Sequence, residues 1–206
     1  KMSDRLDKLL ARLDAWMPQE LTEADWQTAV AFRWRRKDTL LGKLGYLQPV
    51  THLSTISFGD LQHIERQKTL IQNNTAHFVQ AKPANNVLLT GARGTGKSSL
   101  IKACLNEYAK AGLRLVEVDK EHLTDLGDIT DILAKRPERF IIFCDDLSFE
   151  DGESGYKSLK SALDGSIAAQ VDNILIYATS NRRHLLPEYM KDNESYRHTS
   201  DGDIHP

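Results

Sequence analysis

Eight consecutive residues, Gly91-Ala92-Arg93-Gly94-Thr95-Gly96-Lys97-Ser98, satisfy the pattern G-x-x-x-x-G-K-[ST] at every fixed position. Each residue type in it has a chemical reason. Glycines reach backbone angles that other residues resist, which lets successive amide N–H groups converge on phosphate oxygens. A helix opening at Lys97 would add the positive end of its dipole at the same spot. The Lys97 ammonium would bridge the β- and γ-phosphates of a nucleoside triphosphate, and the Ser98 hydroxyl would hold Mg²⁺. Ser99 closes the run and is counted with this cradle, although a structural role suits its hydroxyl as well. The motif follows a short apolar strand, Val87–Thr90, and precedes a helical pattern (Leu100, Ile101, Cys104, Leu105, Tyr108), which is the context the chemistry requires.

A second group sits at the end of another apolar run, Phe140-Ile141-Ile142-Phe143-Cys144-Asp145-Asp146. A carboxylate at the carboxyl end of a buried parallel strand lies beside the phosphate site. Asp145 is therefore expected to hold the metal and Asp146 to orient or polarise an attacking water. Read alone, the same residues could be a solvated acidic turn. A third group, Ala178-Thr179-Ser180-Asn181, follows the apolar run Ile174–Tyr177 and could present a polar side chain to the γ-phosphate or the water. Asn181 takes that role in our reading, with an ordinary turn as its rival.

The elements that must position these groups alternate from Asn85 onward: strands at Val87–Thr90, Leu115–Val118, Phe140–Cys144 and Ile174–Tyr177, with helices between. That alternation implies an α/β fold, a P-loop parallel sheet with helices on both faces. Upstream, Leu6, Leu9, Leu10, Leu13 and Trp16 recur at helical spacing before Pro18, and Thr22 with Asp25 marks a capping box opening a second helix through Phe32. The segment Arg33-Trp34-Arg35-Arg36-Lys37 could track phosphates and stack bases, but reads more simply as the solvated face of an amphipathic helix with Trp34 partly buried. Gly42–Asp60 reads as a linker and 61–80 as a helix. The expected division is a helical N-terminal region with its linker over 1–58, then a nucleotide-binding domain over 59–206 that is incomplete at its C-terminus.

A formal net charge of -2 over 206 residues gives no global drive toward nucleic acid or membrane. No apolar run is long enough to span a bilayer, and the amphipathic start is not a signal peptide. Cys104 and Cys144 lie far apart in apolar segments, as expected of buried, reduced thiols in a cytoplasmic protein.

Taken in order, the three groups resemble the Walker A, Walker B and sensor 1 motifs of the AAA+ ATPases. Thr179-Ser180-Asn181-Arg182-Arg183-His184-Leu185-Leu186-Pro187-Glu188, with Phe143–Phe149 and Leu159-Lys160…Leu163-Asp164-Gly165, is similar to one bacterial AAA+-like family of unassigned cellular role. The resemblance covers about residues 60–206. It implies a five-stranded parallel sheet, ATP and Mg²⁺ as ligands, and homo-oligomers. It also implies that the segment Leu61-Gln62-His63-Ile64-Glu65 lies against the adenine, with Ile64 the contact. Three departures stand out. Asp146 occupies a position where most of these ATPases carry Glu, and a shortfall of about one ångström can cost roughly 10²-fold in rate. No fifth strand or helical lid follows within the chain. No arginine finger is assigned, Arg182, Arg183 and Arg197 being candidates by location alone. The reading that follows is an ATPase that remodels a macromolecular partner, protein or nucleic acid. The alternative is a nucleotide-dependent binding module, like a helicase loader, with little hydrolysis. A small-molecule kinase is a third class, for which no acceptor or lid motif is present.

Overall fold

Phe140–Cys144 is apolar at every position because both faces of that strand are covered: its five side chains are at most 1% exposed. The computed structural model describes residues 2–149, 152–164 and 171–181. It places this strand, β5 (Arg139–Cys144), in the middle of a six-stranded sheet of order β2-β1-β4-β5-β6-β3. The other strands are β1 (Ala31–Thr39), β2 (Gly42–Pro49), β3 (Val87–Thr90), β4 (Leu113–Glu117) and β6 (Ile174–Ser180). All neighbours pair in parallel except β1 and β2, which form an antiparallel hairpin. Helices α3 (Glu65–Val79) and α4 (Lys97–Tyr108) build one core layer with Ile71, Phe78, Leu100 and Ile101. Helices α2 (Glu23–Thr28), α5 (Leu126–Ala134) and α6 (Ser154–Asp164) build the other with Trp26, Ile129, Leu133 and Leu159. The chain therefore has the α/β fold expected, a mostly parallel sheet covered on both faces.

Upstream of α3 the structure corrects several expectations. Helix α1 (Met2–Trp16) forms as expected, with none of its residues buried. The capping box is present, Thr22 N–H donating to Asp25 Oδ2 at 2.8 Å and Asp25 N–H to Thr22 Oγ1 at 3.2 Å. The helix it opens, however, ends at Thr28 and does not reach Phe32. Residues 33–37 are not a helix face but part of β1. Phe32 and Trp34 alternate with Arg33 and Arg35, a period of two, so one face buries while the other stays wet. Trp34 is 3% exposed and its indole N–H donates to Asp125 Oδ2 at 2.8 Å. Gly42–Asp60 is not simply a linker, since its first eight residues are β2. There Gly45 serves packing: a Cβ at that position would fall inside the Trp34 indole. Residues 1–58 thus contribute two strands to the sheet as well as helices, and the parallel partner of β4 on that side comes from the N-terminal region.

Cys104 and Cys144 are free and buried, and burial pushes both thiols up to about 12. Among the described residues no helix is long and apolar enough to cross a membrane.

Candidate nucleotide site

Parallel pairing brings the carboxyl ends of β3, β5 and β6 to one edge of the sheet. Thr90 of β3 stands beside Ser180 of β6, and Cys144 of β5 beside Ala178. Register alone therefore sets the residues that follow each strand next to one another: the glycine loop after β3, Asp145 and Asp146 after β5, and Thr179 to Asn181 at the end of β6.

The loop Gly91–Gly96 joins β3 to α4, and Gly94 (φ +78°) and Gly96 (φ +87°) take left-handed conformations that a side chain would resist. Gly96 is also the residue before the first turn of α4, whose Leu100 N–H returns to its carbonyl at 2.9 Å. Lys97 folds over the loop. Its ammonium donates to the carbonyls of Gly91 (2.9 Å) and Ala92 (2.7 Å) and lies 3.4 Å from Thr95 Oγ1. Thr95 Oγ1 in turn donates to Ala92 O at 2.8 Å. Gly91, Ala92, Arg93, Gly94, Thr95, Gly96, Lys97 and Ser98 are thus one contiguous cradle at a helix N-terminus. Ser99 is the next residue of α4, turned about 100° round the helix from Ser98.

Ser98 Oγ donates to Asp145 Oδ1 at 2.5 Å. The same carboxylate oxygen accepts from Thr179 Oγ1 at 2.5 Å. Thr179 Oγ1 also accepts the backbone N–H of Asp146 at 2.8 Å, so one hydroxyl fixes both acidic residues. Further bonds clamp the turn to β6: Leu147 N–H to Thr179 O at 2.8 Å, and Ser180 Oγ to Leu147 O at 2.6 Å. Asn181 Nδ2 donates to Asp146 Oδ1, and Arg93 reaches Asp146 Oδ2 at 3.4 Å. Asp146 itself sits at φ +52°, a region where Asp and Asn are several-fold enriched over other side chains. That backbone gives a local reason for Asp rather than Glu at this position.

Of the residues singled out in the sequence, Lys97, Ser98, Asp145, Asp146 and Asn181 converge. Ile64, at the start of α3, lies against the loop, its Cδ1 3.5 Å from where a Cβ on Gly96 would stand. Residues 182–188, Arg197 and Gly165 lie outside the described residues. The residue whose role sequence reasoning missed is Thr179. Its type is unremarkable at a strand end, and only the register of β5 against β6 reveals what it holds.

The donor set also fits Mg²⁺. A serine hydroxyl and a carboxylate already within 2.5 Å of each other supply the one or two hard oxygen ligands that this ion takes from protein, phosphates and waters completing the shell. No cluster of three or more His, Cys, Asp or Glu suited to a metal occurs among the described residues.

With the P-loop strand at one edge, the Thr-Ser-Asn strand beside it and the Asp-Asp strand next, the sheet has the AAA+-like P-loop arrangement expected from the motifs. Residues 27–206 match the model of the family described as "Protein of unknown function (DUF815)", and the chain belongs to that family. No curated protein matches the chain. Among solved structures, it is similar to AMPPCP-bound DnaA from Aquifex aeolicus, at 15% identity and TM-score 0.47, over 69% of this chain and 49% of that one. It is also similar to the Thermotoga maritima RuvB Holliday junction branch migration motor, at 19% identity and TM-score 0.46, over 66% and 45%. A DNA replication initiation factor aligns at 14% identity and TM-score 0.48, over 70% and 48%. The chain spans about half the length of these three structures.

Proposed function

We propose that this protein binds ATP with Mg²⁺ at the loop 91–98 and hydrolyses it to ADP and phosphate, as a homo-oligomeric AAA+ ATPase of the cytoplasm that remodels a macromolecular partner. The observation that carries the reading is the connected set Ser98–Asp145–Thr179–Asp146–Asn181 at the mouth of the loop. A chance glycine turn has no reason to meet two carboxylates from a different strand. In this reading the amides of Gly91 to Gly96 and the ammonium of Lys97 hold the β- and γ-phosphates, Lys97 exchanging its loop carbonyls for phosphate oxygens. Ser98 and Asp145 hold the metal ion, which supplies positive charge to the phosphate oxygens. Asp146 orients the attacking water and Asn181 senses the γ-phosphate. Ile64 borders the base. Residues 59–206 form the nucleotide-binding unit, with the β1–β2 hairpin added to its sheet from 1–58.

A second reading is a nucleotide switch with slow hydrolysis. It is favoured by the Asp146 carboxylate, which is already engaged by Asn181 and Arg93 and is shorter than Glu. Turnover per chain across protein concentration, with Lys97→Ala as baseline, separates the two. Turnover above baseline that rises with concentration supports the oligomeric ATPase. Saturable ATP binding with turnover at the baseline supports the switch.

A further inference from the structure

Among the described residues the β1–β2 hairpin is a basic segment that the nucleotide site does not use. Its strands pair from Phe32–Pro49 to Thr39–Gly42, and their side chains alternate between two faces. The inner face carries Trp34, Leu47 and Gly45, closed against the 3₁₀ segment Lys120–Asp125 by the Trp34–Asp125 and Arg36–Asp125 bonds. The outer face carries Arg33, Arg35 and Lys37 along β1, with Gln48, Tyr46 and Leu44 opposite them. Among the described residues one carboxylate pairs with a cation of this face: Glu117, which accepts from Arg33 at 3.0 Å. Arg35 is exposed and donates to Gln48 Oε1 at 3.0 Å, while Lys37 and Tyr46 are partly exposed. Asp38 points the other way, toward Lys43. Three cations against one anion is a local excess on a chain of net charge -2.

We propose that this outer face binds single-stranded nucleic acid. The cations recur about every 6.7 Å along the strand, a spacing comparable to that of neighbouring phosphates in an extended nucleic-acid strand. Tyr46, directly across from Arg35, offers a ring on which a base can stack. Pairing of β1 with β4 stops at Arg33–Glu117, so Arg35 and Lys37 stand beyond the carboxyl edge of the sheet, and no described strand covers them on that side. A single strand is favoured over a duplex because its unpaired bases are free to stack on Tyr46. The inference is independent of whether ATP is hydrolysed.

The test is fluorescence anisotropy with labelled oligo-dT and oligo-U of 20 nucleotides and a duplex of equal length, from 20 to 150 mM salt. The parent is expected to bind the single strands more tightly than the duplex, with affinity falling as salt rises. Arg35→Ala/Lys37→Ala should reduce the slope of log K against log salt by about 1.4, two phosphate contacts at roughly 0.7 each. Tyr46→Ala should weaken binding about tenfold with the slope unchanged. Lys82→Ala, an exposed lysine elsewhere, should change neither. Preference between oligo-dT and oligo-U would tell DNA from RNA as the source of the strand. Three results would overturn the proposal: no binding of either single strand at 20 mM salt, tighter binding of the duplex, or loss of affinity in Lys82→Ala equal to that in the double variant. An unchanged melting temperature of each variant guards against misfolding.

Discussion

Replacing Thr179 by Val removes a hydroxyl and keeps the shape. Thr179 is 1% exposed, and its oxygen both donates to Asp145 and accepts the N–H of Asp146. The substitution deletes a hydrogen bond to a charged group, worth about 1.5 kcal/mol at the low end because Asp145 is exposed. It also strands a backbone N–H, which costs about 1–3 kcal/mol. A loss of about 3 kcal/mol in a domain of this size lowers Tm by roughly 6–12 °C. Circular dichroism melts would measure it, alongside Thr179→Ser, which retains the hydroxyl and should stay far closer to the parent. In nucleotide titrations Thr179→Val should lose affinity with Mg²⁺ present and little with EDTA, since it is Asp145 that becomes misplaced. A Val variant melting within 2 °C of the parent, or a Ser variant as damaged as the Val variant, would refute the clamp.

Two further substitutions probe the hairpin that the sequence did not announce. Gly45→Ala should destabilise the fold by about 1–3 kcal/mol, read as a lower Tm, because the new methyl displaces the Trp34 indole. Asp125→Asn tests the pair beneath it. The Arg36 guanidinium, donating to both carboxylate oxygens, and the Trp34 indole hold Asp125 below the usual carboxylate range. A carboxylate lowered on folding contributes stability above its unfolded pKa, about 4, and loses it as pH falls through the folded value. The Tm gap between parent and Asp125→Asn should therefore be full at pH 7 and shrink below about pH 4; a gap independent of pH would refute the charge assignment.

The four strands from β3 to β6, and the meeting of the candidate site residues at their carboxyl ends, were legible for a chemical reason. Glycine, lysine and paired carboxylates at those spacings have few other uses, and a strand buried on both faces is apolar without interruption, as Phe140–Cys144 is. The hairpin was not legible. A capping box starts a helix but does not say where it stops, and Trp26, Ala29, Val30 and Phe32 also fit a helical face. What turns Ala31–Thr39 into a strand is pairing, with β2 along Phe32–Thr39 and with the open edge of β4, far along the chain, at Ala31–Arg33. Thr179 was obscured in the same way: its hydroxyl matters because β5 and β6 pair in one register, and register is a property of two segments. Ile64 stood between those cases. Its place before the loop came from family resemblance, and the structure sets it against Gly96.

In the proposed function Gly91–Ser98 holds the phosphates of ATP. Titrating the protein with a fluorescent ATP analogue and Mg²⁺, beside Lys97→Ala, tests it most directly. Saturable one-site binding, weakened at least about tenfold in Lys97→Ala, as expected when a charge-assisted bond to phosphate is lost, is the predicted result. Binding of equal strength in Lys97→Ala, or none in the parent, would contradict it.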